Sequence, residues 1–351
     1  MVSFDKDVPV IVNTLLIYHN KAKNSINIWK RRKFCKYLSV KAEIERLIKK
    51  MKLEVRRNML EKRSKNDYYR TKVVLAKGIY MLTETFEIKA DDSLPYARLC
   101  TYIQENSPEI GVEKRPLILM CPGGGYEMTS DREAEPLALR FLAMGYHVAV
   151  LRYSVAPAVY PTALLEAAQA MKLIHENAKE WFVDTEKIFL LGCSAGGHLA
   201  ASLGMFWHEE WLAAKTGVTN DVLKPAGMIL CYPVITSGEY AHRGSFEALL
   251  KGKMTEEMLE RVSLEKQVTE HTPETFIWHT YTDDCVPVEN SLLLISAMKK
   301  YNIPVEFHMY PIGGHGLSTC DWQTAVPGGY GVQKECSSWL PLVETWLASR
   351  R

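Results

Sequence analysis

From about Lys72 onward, short continuous apolar runs alternate with longer stretches of helical periodicity, and few architectures accommodate that rhythm. Residues 116–121 (PLILMC), 146–153 (YHVAVLRY), 187–191, 227–232, 276–280 and 305–310 read as strands. Between and around them, residues 134–144, 162–181, 195–206, 291–301 and 333–348 read as helices. In 162–181, Leu164, Ala168, Met171 and Ile174 recur near helical spacing and give that helix one apolar face. Strands without polar alternation are covered on both faces, and their alternation with helices implies a parallel sheet between two helical layers. The expected fold class is therefore α/β, with a mostly parallel central sheet. Residues 73–102 are expected to add antiparallel strands at one edge.

Residues 237–273 break the rhythm. This segment carries AHRGSFEALL and a charged helical pattern around 255–262. It reads as a small cap inserted between two core strands, on the side where loops build a site. The first 72 residues differ in another way. They hold 20 Lys and Arg against 7 Asp and Glu, whereas the remainder holds 23 against 34. Residues 1–71 therefore read as a separate basic extension, helical (over 42–63) or disordered, ahead of one α/β domain over 72–351. Met51 and Met59 are alternative starts within it. The basic run could serve as an arm for nucleic acid, but no recognition motif accompanies it, so nucleic acid is not an expected partner.

No window holds the roughly 18 uncharged apolar residues that a membrane helix needs. The stretch 8–18 is broken by Asn13 and lacks a small-residue cleavage site, so a cytoplasmic location is expected. The eight cysteines form no C-x-x-C pair, which leaves zinc and thioredoxin-like chemistry without support and fits a reducing compartment.

Four short motifs carry the chemistry. Gly192-Cys193-Ser194-Ala195-Gly196 matches G-x-S-x-G, preceded by an apolar strand and followed by a helix, which is the setting that pattern requires. Ser194 is the expected nucleophile. Gly192 and Gly196 let the tight turn close, and the helix beginning at Ala195 aims backbone N–H groups at a developing oxyanion. Pro122-Gly123-Gly124-Gly125-Tyr126 follows the strand 116–121, and its N–H groups can complete an oxyanion hole. No Gly-Lys-Ser/Thr follows, so a phosphate loop is not indicated. Asp283 and Asp284 follow the strand 276–280, and either could hold and balance an imidazole. We favour Asp283, with the other as a turn or cap residue ahead of Val286. His315, in Gly313-Gly314-His315-Gly316 after the last strand, is the expected base, since an imidazole titrates near neutrality. The remaining histidines lack metal-ligand spacing, and no metal is expected. His242 of the cap and Tyr126 are candidate substrate contacts.

Together these segments, over about residues 72–350, resemble the α/β-hydrolase superfamily. PGGGY, SAGGH, the WHT-x-x-DD-x-VPVENS stretch and GGHGL resemble its acetylxylan-esterase-like branch. That branch lies near the hormone-sensitive-lipase-like esterases and the prolyl-oligopeptidase relatives. Pro122 stands where the lipase-like branch usually has His. The resemblance implies a triad of Ser194, Asp283 and His315, and oxyanion donors at Gly123, Gly124 and Ala195. It also implies a serine carboxylesterase acting on short acyl groups, acetyl above all, on xylo-oligosaccharides or other sugars. Such an enzyme needs no cofactor. Its partner is a small ester, and assembly with further copies of itself remains open. Two other readings stand beside it: a serine peptidase or amidase with the same triad, and a non-catalytic binding protein using the basic arm.

Overall fold

The computed structural model describes residues 81–107 and 109–350. The basic extension over 1–71, its helix and the boundary near residue 72 lie outside these residues.

Among the described residues eight strands form one sheet: β1 (Leu82–Glu87), β2 (Arg98–Ile103), β3 (Arg115–Cys121), β4 (His147–Arg152), β5 (Val183–Cys193), β6 (Gly227–Cys231), β7 (Thr275–Thr280) and β8 (Val305–Tyr310). Their order across the sheet is β1-β2-β4-β3-β5-β6-β7-β8. The β1/β2 and β2/β4 pairs are antiparallel, and every pair from β4/β3 to β7/β8 is parallel. The edge segment expected before residue 102 is thus where the sequence put it. Burial explains the strand compositions. Edge strand β1 reads LTETFE and is half exposed, while β6 in the middle reads GMILC and is buried throughout.

The helices are α1 (Glu135–Ala143), α2 (Thr162–Trp181), α3 (Ala195–Phe206), α4 (Glu210–Thr216), α5 (Asn220–Leu223), α6 (Arg243–Leu250), α7 (Glu256–Arg261), α8 (Glu289–Lys300) and α9 (Trp339–Ala348). They cover both faces. Successive β3 residues divide between two apolar layers: Leu117 and Leu119 pack with Met171 of α2 and Leu199 of α3. Ile118 and Met120 pack with Phe141 of α1 and Trp339 of α9. Each such side chain, taken fully out of water, contributes about 1.5–3 kcal/mol before the entropy of ordering it is counted.

Two boundaries differ from expectation by four residues or more. Strand β5 begins at Val183, four residues earlier than its apolar run, because Asp184 to Lys187 extend the strand with polar side chains at the sheet's amino end. The closing helix begins at Trp339 and not at Gln333, since the Gln333 N–H is drawn 3.0 Å from the Cys320 carbonyl instead of starting a helical turn. The insertion between β6 and β7 holds α6, α7 and a 3₁₀ turn (Leu264–Lys266). It is fixed to the body by buried Phe246, Leu249 and Leu250, and by the Leu264 N–H on the Ile235 carbonyl at 3.0 Å.

Candidate active site

Ser194 stands at the carboxyl end of β5, immediately before α3, with φ 53° and ψ −122°. That backbone is costly for a residue with a Cβ and persists only where its surroundings enforce it. Here they do. The Ser194 N–H donates to the Cys231 carbonyl (3.0 Å), and its own carbonyl accepts from the N–H groups of His198 and Val234 (both 3.1 Å). The turn is too tight for side chains on either side. A Cβ on Gly192 would lie 2.2 Å from the Gly196 carbonyl oxygen, and one on Gly196 would lie 2.0 Å from that of Cys121.

The chain brings the three distant residues together. Ser194 Oγ is 2.7 Å from His315 Nε2, and His315 Nδ1 is 2.7 Å from Asp283 Oδ2. An ionised carboxylate only accepts, so Nδ1 carries the hydrogen and Nε2 is left to accept from the serine hydroxyl. Asp283 Oδ1 accepts the N–H groups of Cys285 (3.0 Å) and Val286 (2.9 Å). Burial alone would raise the Asp283 carboxyl, but the hydrogen bonds from His279, His315 and Val286 override it and hold the group well below the usual carboxylate range. Asp284 is exposed. The His315 loop is pinned by Thr280 and Thr282, whose hydroxyls donate to the Gly313 carbonyl (3.0 and 2.9 Å), and by the Tyr330 hydroxyl on the His315 carbonyl.

The glycine loop departs from expectation in two respects. The Gly123 N–H donates to the Glu133 carboxylate at 2.8 Å, so it is already committed. The N–H groups of Gly124, Gly125 and Ala195 have no partner among the described residues. Gly124 (φ 131°) and Gly125 (φ 66°) turn the loop there. Tyr126, expected at the substrate, is buried, and its hydroxyl bonds His198 Nδ1 at 2.8 Å. His242 of the insertion does reach this region. Its Cε1 lies 4.0 Å from where a Gly125 Cβ would sit, and its Nδ1 is 2.8 Å from the Ser245 hydroxyl.

Sequence reasoning placed His198 as a packed or supporting group but did not find Glu133 and Tyr232 or the partners that brace these loops. The Tyr232 hydroxyl donates to Glu133 (2.8 Å) and accepts the Ser318 N–H (2.9 Å), while its ring stands edge-on to His315 at 5.1 Å. Glu133 thus joins the glycine loop to the His315 loop through one buried carboxylate. His198 joins α3, the glycine loop and the insertion, since its Nε2 lies 2.8 Å from the Val262 carbonyl. No local pattern marks these residues, because every partner is remote in the chain.

Burial lowers both His198 and His147 to about 4. An unfolded histidine titrates near 6.5, so the unfolded chain binds protons more readily in the interval between. Stability is therefore intact above about pH 6.5 and drains away down to about pH 4, by about 3 kcal/mol for each histidine. Urea unfolding at pH 7 and pH 4.5 should show the fall, and His198→Gln should show less of it. Equal midpoints for the wild-type chain at the two pH values would contradict the prediction.

This strand order, with the three side chains just beyond β5, β7 and β8, defines an α/β-hydrolase. Known proteins agree. A profile of the BD-FAE family matches residues 103–298, which include Ser194 and Asp283. Endo-1,4-beta-xylanase B of Butyrivibrio fibrisolvens is 37% identical over 213 residues, spanning 59% of this chain and 33% of that protein. The acetylxylan esterase of Xylanibacter ruminicola is 28% identical over 213 residues, spanning 58% and 42%. The chain thus spans about a third to two fifths of these curated relatives. The crystal structure of an acetyl ester-xyloside bifunctional hydrolase from Caldicellulosiruptor lactoaceticus superposes with a TM-score of 0.63 at 35% identity, covering 72% of this chain and 88% of that one. The chain belongs to the BD-FAE family, within the acetylxylan-esterase-like branch of the α/β-hydrolases. Among the described residues no helix is long and apolar enough to cross a membrane.

Proposed function

We propose that the chain is a serine carboxylesterase that removes short acyl groups, acetyl above all, from xylo-oligosaccharides or related sugars in the cytoplasm. The observation that carries this reading is the continuous relay of Ser194, His315 and Asp283, with 2.7 Å at each link. Ser194 Oγ attacks the ester carbonyl while His315 Nε2 takes its proton, and Asp283 balances the imidazolium. The tetrahedral oxyanion is received by the uncommitted N–H groups of Ala195 and Gly124, with Gly125 next in line. Each donor of this kind is worth about 3–4 kcal/mol in the transition state. His315 then protonates the departing alcohol, and water repeats the sequence on the acyl-enzyme.

The acetyl-sugar substrate is supported by what the relatives are: an acetylxylan esterase and an acetyl ester-xyloside hydrolase. The insertion serves as a cap, with His242 facing the alcohol side of the glycine loop. Hydrolysis of 4-nitrophenyl esters from acetate to octanoate, with Ser194→Ala as control, tests the reading. Activity should peak at acetate and require the serine, and acetate should be released from acetylated xylo-oligosaccharides. A rate that climbed towards octanoate would refute the short-acyl pocket. A matched anilide cleaved as fast as the ester would favour a peptidase.

A further inference from the structure

A second buried histidine stands behind the acid. His279 lies in β7 and is fully enclosed. Its Nε2 is 2.9 Å from the Val286 carbonyl and 3.3 Å from Asp283 Oδ2, the same oxygen that receives His315. Its Nδ1 is 2.8 Å from the Ser291 hydroxyl on α8. A carbonyl can only accept, so the hydrogen is on Nε2 and goes to Val286, which leaves Asp283 Oδ2 3.3 Å from the positive end of the same N–H. Nδ1 is then bare and accepts from Ser291. Asp283 thereby has three hydrogen-bond donors, two backbone N–H groups on Oδ1 and the His315 Nδ1–H on Oδ2, with the His279 N–H dipole beside Oδ2 at 3.3 Å.

We propose that His279 is a positioning residue of the relay, holding the Asp283 carboxylate in line with His315 Nδ1 and drawing off part of its charge. Ser291 sets its ring, and the Val286 carbonyl fixes its tautomer. Without the His279 N–H dipole beside it, more of the Oδ2 charge faces the imidazole. That stabilises the protonated imidazole in the resting enzyme, so the base is available only at higher pH. The inference rests on the esterase reading above.

The other titratable groups around this pair are few. His242 of the cap acts on His315 and Asp283. Cys285 and Tyr330 feel the Asp283 and Asp284 charges, and Arg132 acts on Tyr330. Tyr232, with Glu133, backs the imidazole. None of their side chains donates a hydrogen bond to Asp283, and the Cys285 main-chain N–H on Oδ1 is untouched by a change confined to His279.

The experiment compares His279→Leu and His279→Gln in the full chain on 4-nitrophenyl acetate. Leucine fills the space without a donor, whereas the glutamine amide can still reach both Val286 and Asp283. His279→Leu should lower kcat about three- to tenfold, the value of one hydrogen bond in the transition state, with KM within about twofold. The acidic limb of its kcat/KM profile should move up by about half a pH unit. His279→Gln should restore both. An unmoved limb in His279→Leu, or a glutamine variant as impaired as the leucine one, would overturn the proposal and leave His279 a packing residue. If His279→Leu does not fold, Ser291→Ala decides: a smaller shift in the same direction supports the proposal, and no shift refutes it. Serine-independent hydrolysis in the Ser194→Ala control would instead overturn the underlying esterase reading.

Discussion

Ser194→Ala is expected to lower kcat on 4-nitrophenyl acetate by about 10⁶-fold, the scale seen when a relay of this type loses its nucleophile. The reason is local. The Ser194 hydroxyl is bonded to His315 Nε2 at 2.7 Å. Alanine keeps the Cβ, so the unusual backbone at φ 53° is no worse occupied. The Ser194 N–H and carbonyl bonds to Cys231, His198 and Val234 remain, since they involve only the main chain. Thermal stability should therefore stay within about 0.5 kcal/mol of wild type, or rise as a buried, constrained hydroxyl is removed. The N–H groups of Ala195 and Gly124 survive and should still polarise a bound carbonyl, leaving a small residual rate over water. Pre-steady-state release of nitrophenol gives the cleanest measurement. Wild type should show a burst equal to the concentration of sites if deacylation is the slower step, and the variant none. A variant that retained a tenth of the wild-type rate would mean that another group attacks the ester.

Much of this arrangement is legible in the residues themselves. Helices α2 and α3 begin and end where the pattern says: α2 has an apolar stripe with one face to bury, and α3, an apolar run between the elbow serine and Trp207, is buried all round. The three relay residues each sit in a short glycine- or turn-rich segment after an apolar strand, and in a parallel sheet all such segments emerge at one edge. What the sequence could not show is how the loops at that edge share donors and acceptors. The glycine triplet offers several N–H groups, and nothing local says which is free. Glu133, ten residues on, takes Gly123, and only the folded chain reveals it. Tyr126 looks like a substrate contact because it flanks the glycines, yet His198 claims its hydroxyl from α3. Glu133, Tyr232, His198 and His279 are all buried polar groups whose partners lie far along the chain. Burial obliges them to find partners, but spacing cannot say which. Nearest-neighbour chemistry thus fixes the nucleophile and base, while the groups that orient them depend on tertiary packing.

The two adjacent aspartates sharpen that distinction into a test. Asp283→Asn is expected to lower kcat by about 10⁴-fold, and Asp284→Asn to change it by no more than about twofold. Asp284 is exposed, and any influence it has on the site is screened by water. Asp283 is enclosed and receives His315 Nδ1 at 2.7 Å. Asparagine at 283 can keep its carbonyl oxygen on the Cys285 and Val286 N–H groups, as Oδ1 does now. Its amide nitrogen then faces two imidazole N–H groups, which are donors like itself. His315 can escape the clash by moving its hydrogen to Nε2, but that places a donor against the Ser194 hydroxyl and removes the base. KM, which reflects contacts made before attack, should change little. Stability gives an independent reading of the same carboxylate. Its hydrogen bonds hold it ionised well below the ordinary range, so it contributes stability that is present above about pH 4 and lost as pH falls further. Asp283→Asn should therefore be less stable than wild type at pH 7, with the gap narrowing as the pH falls below about 4. Should Asp284→Asn carry the loss instead, the acid of the relay would be the exposed neighbour. A stability gap that did not narrow on acidification would mean that the Asp283 charge is not what its donors hold in place.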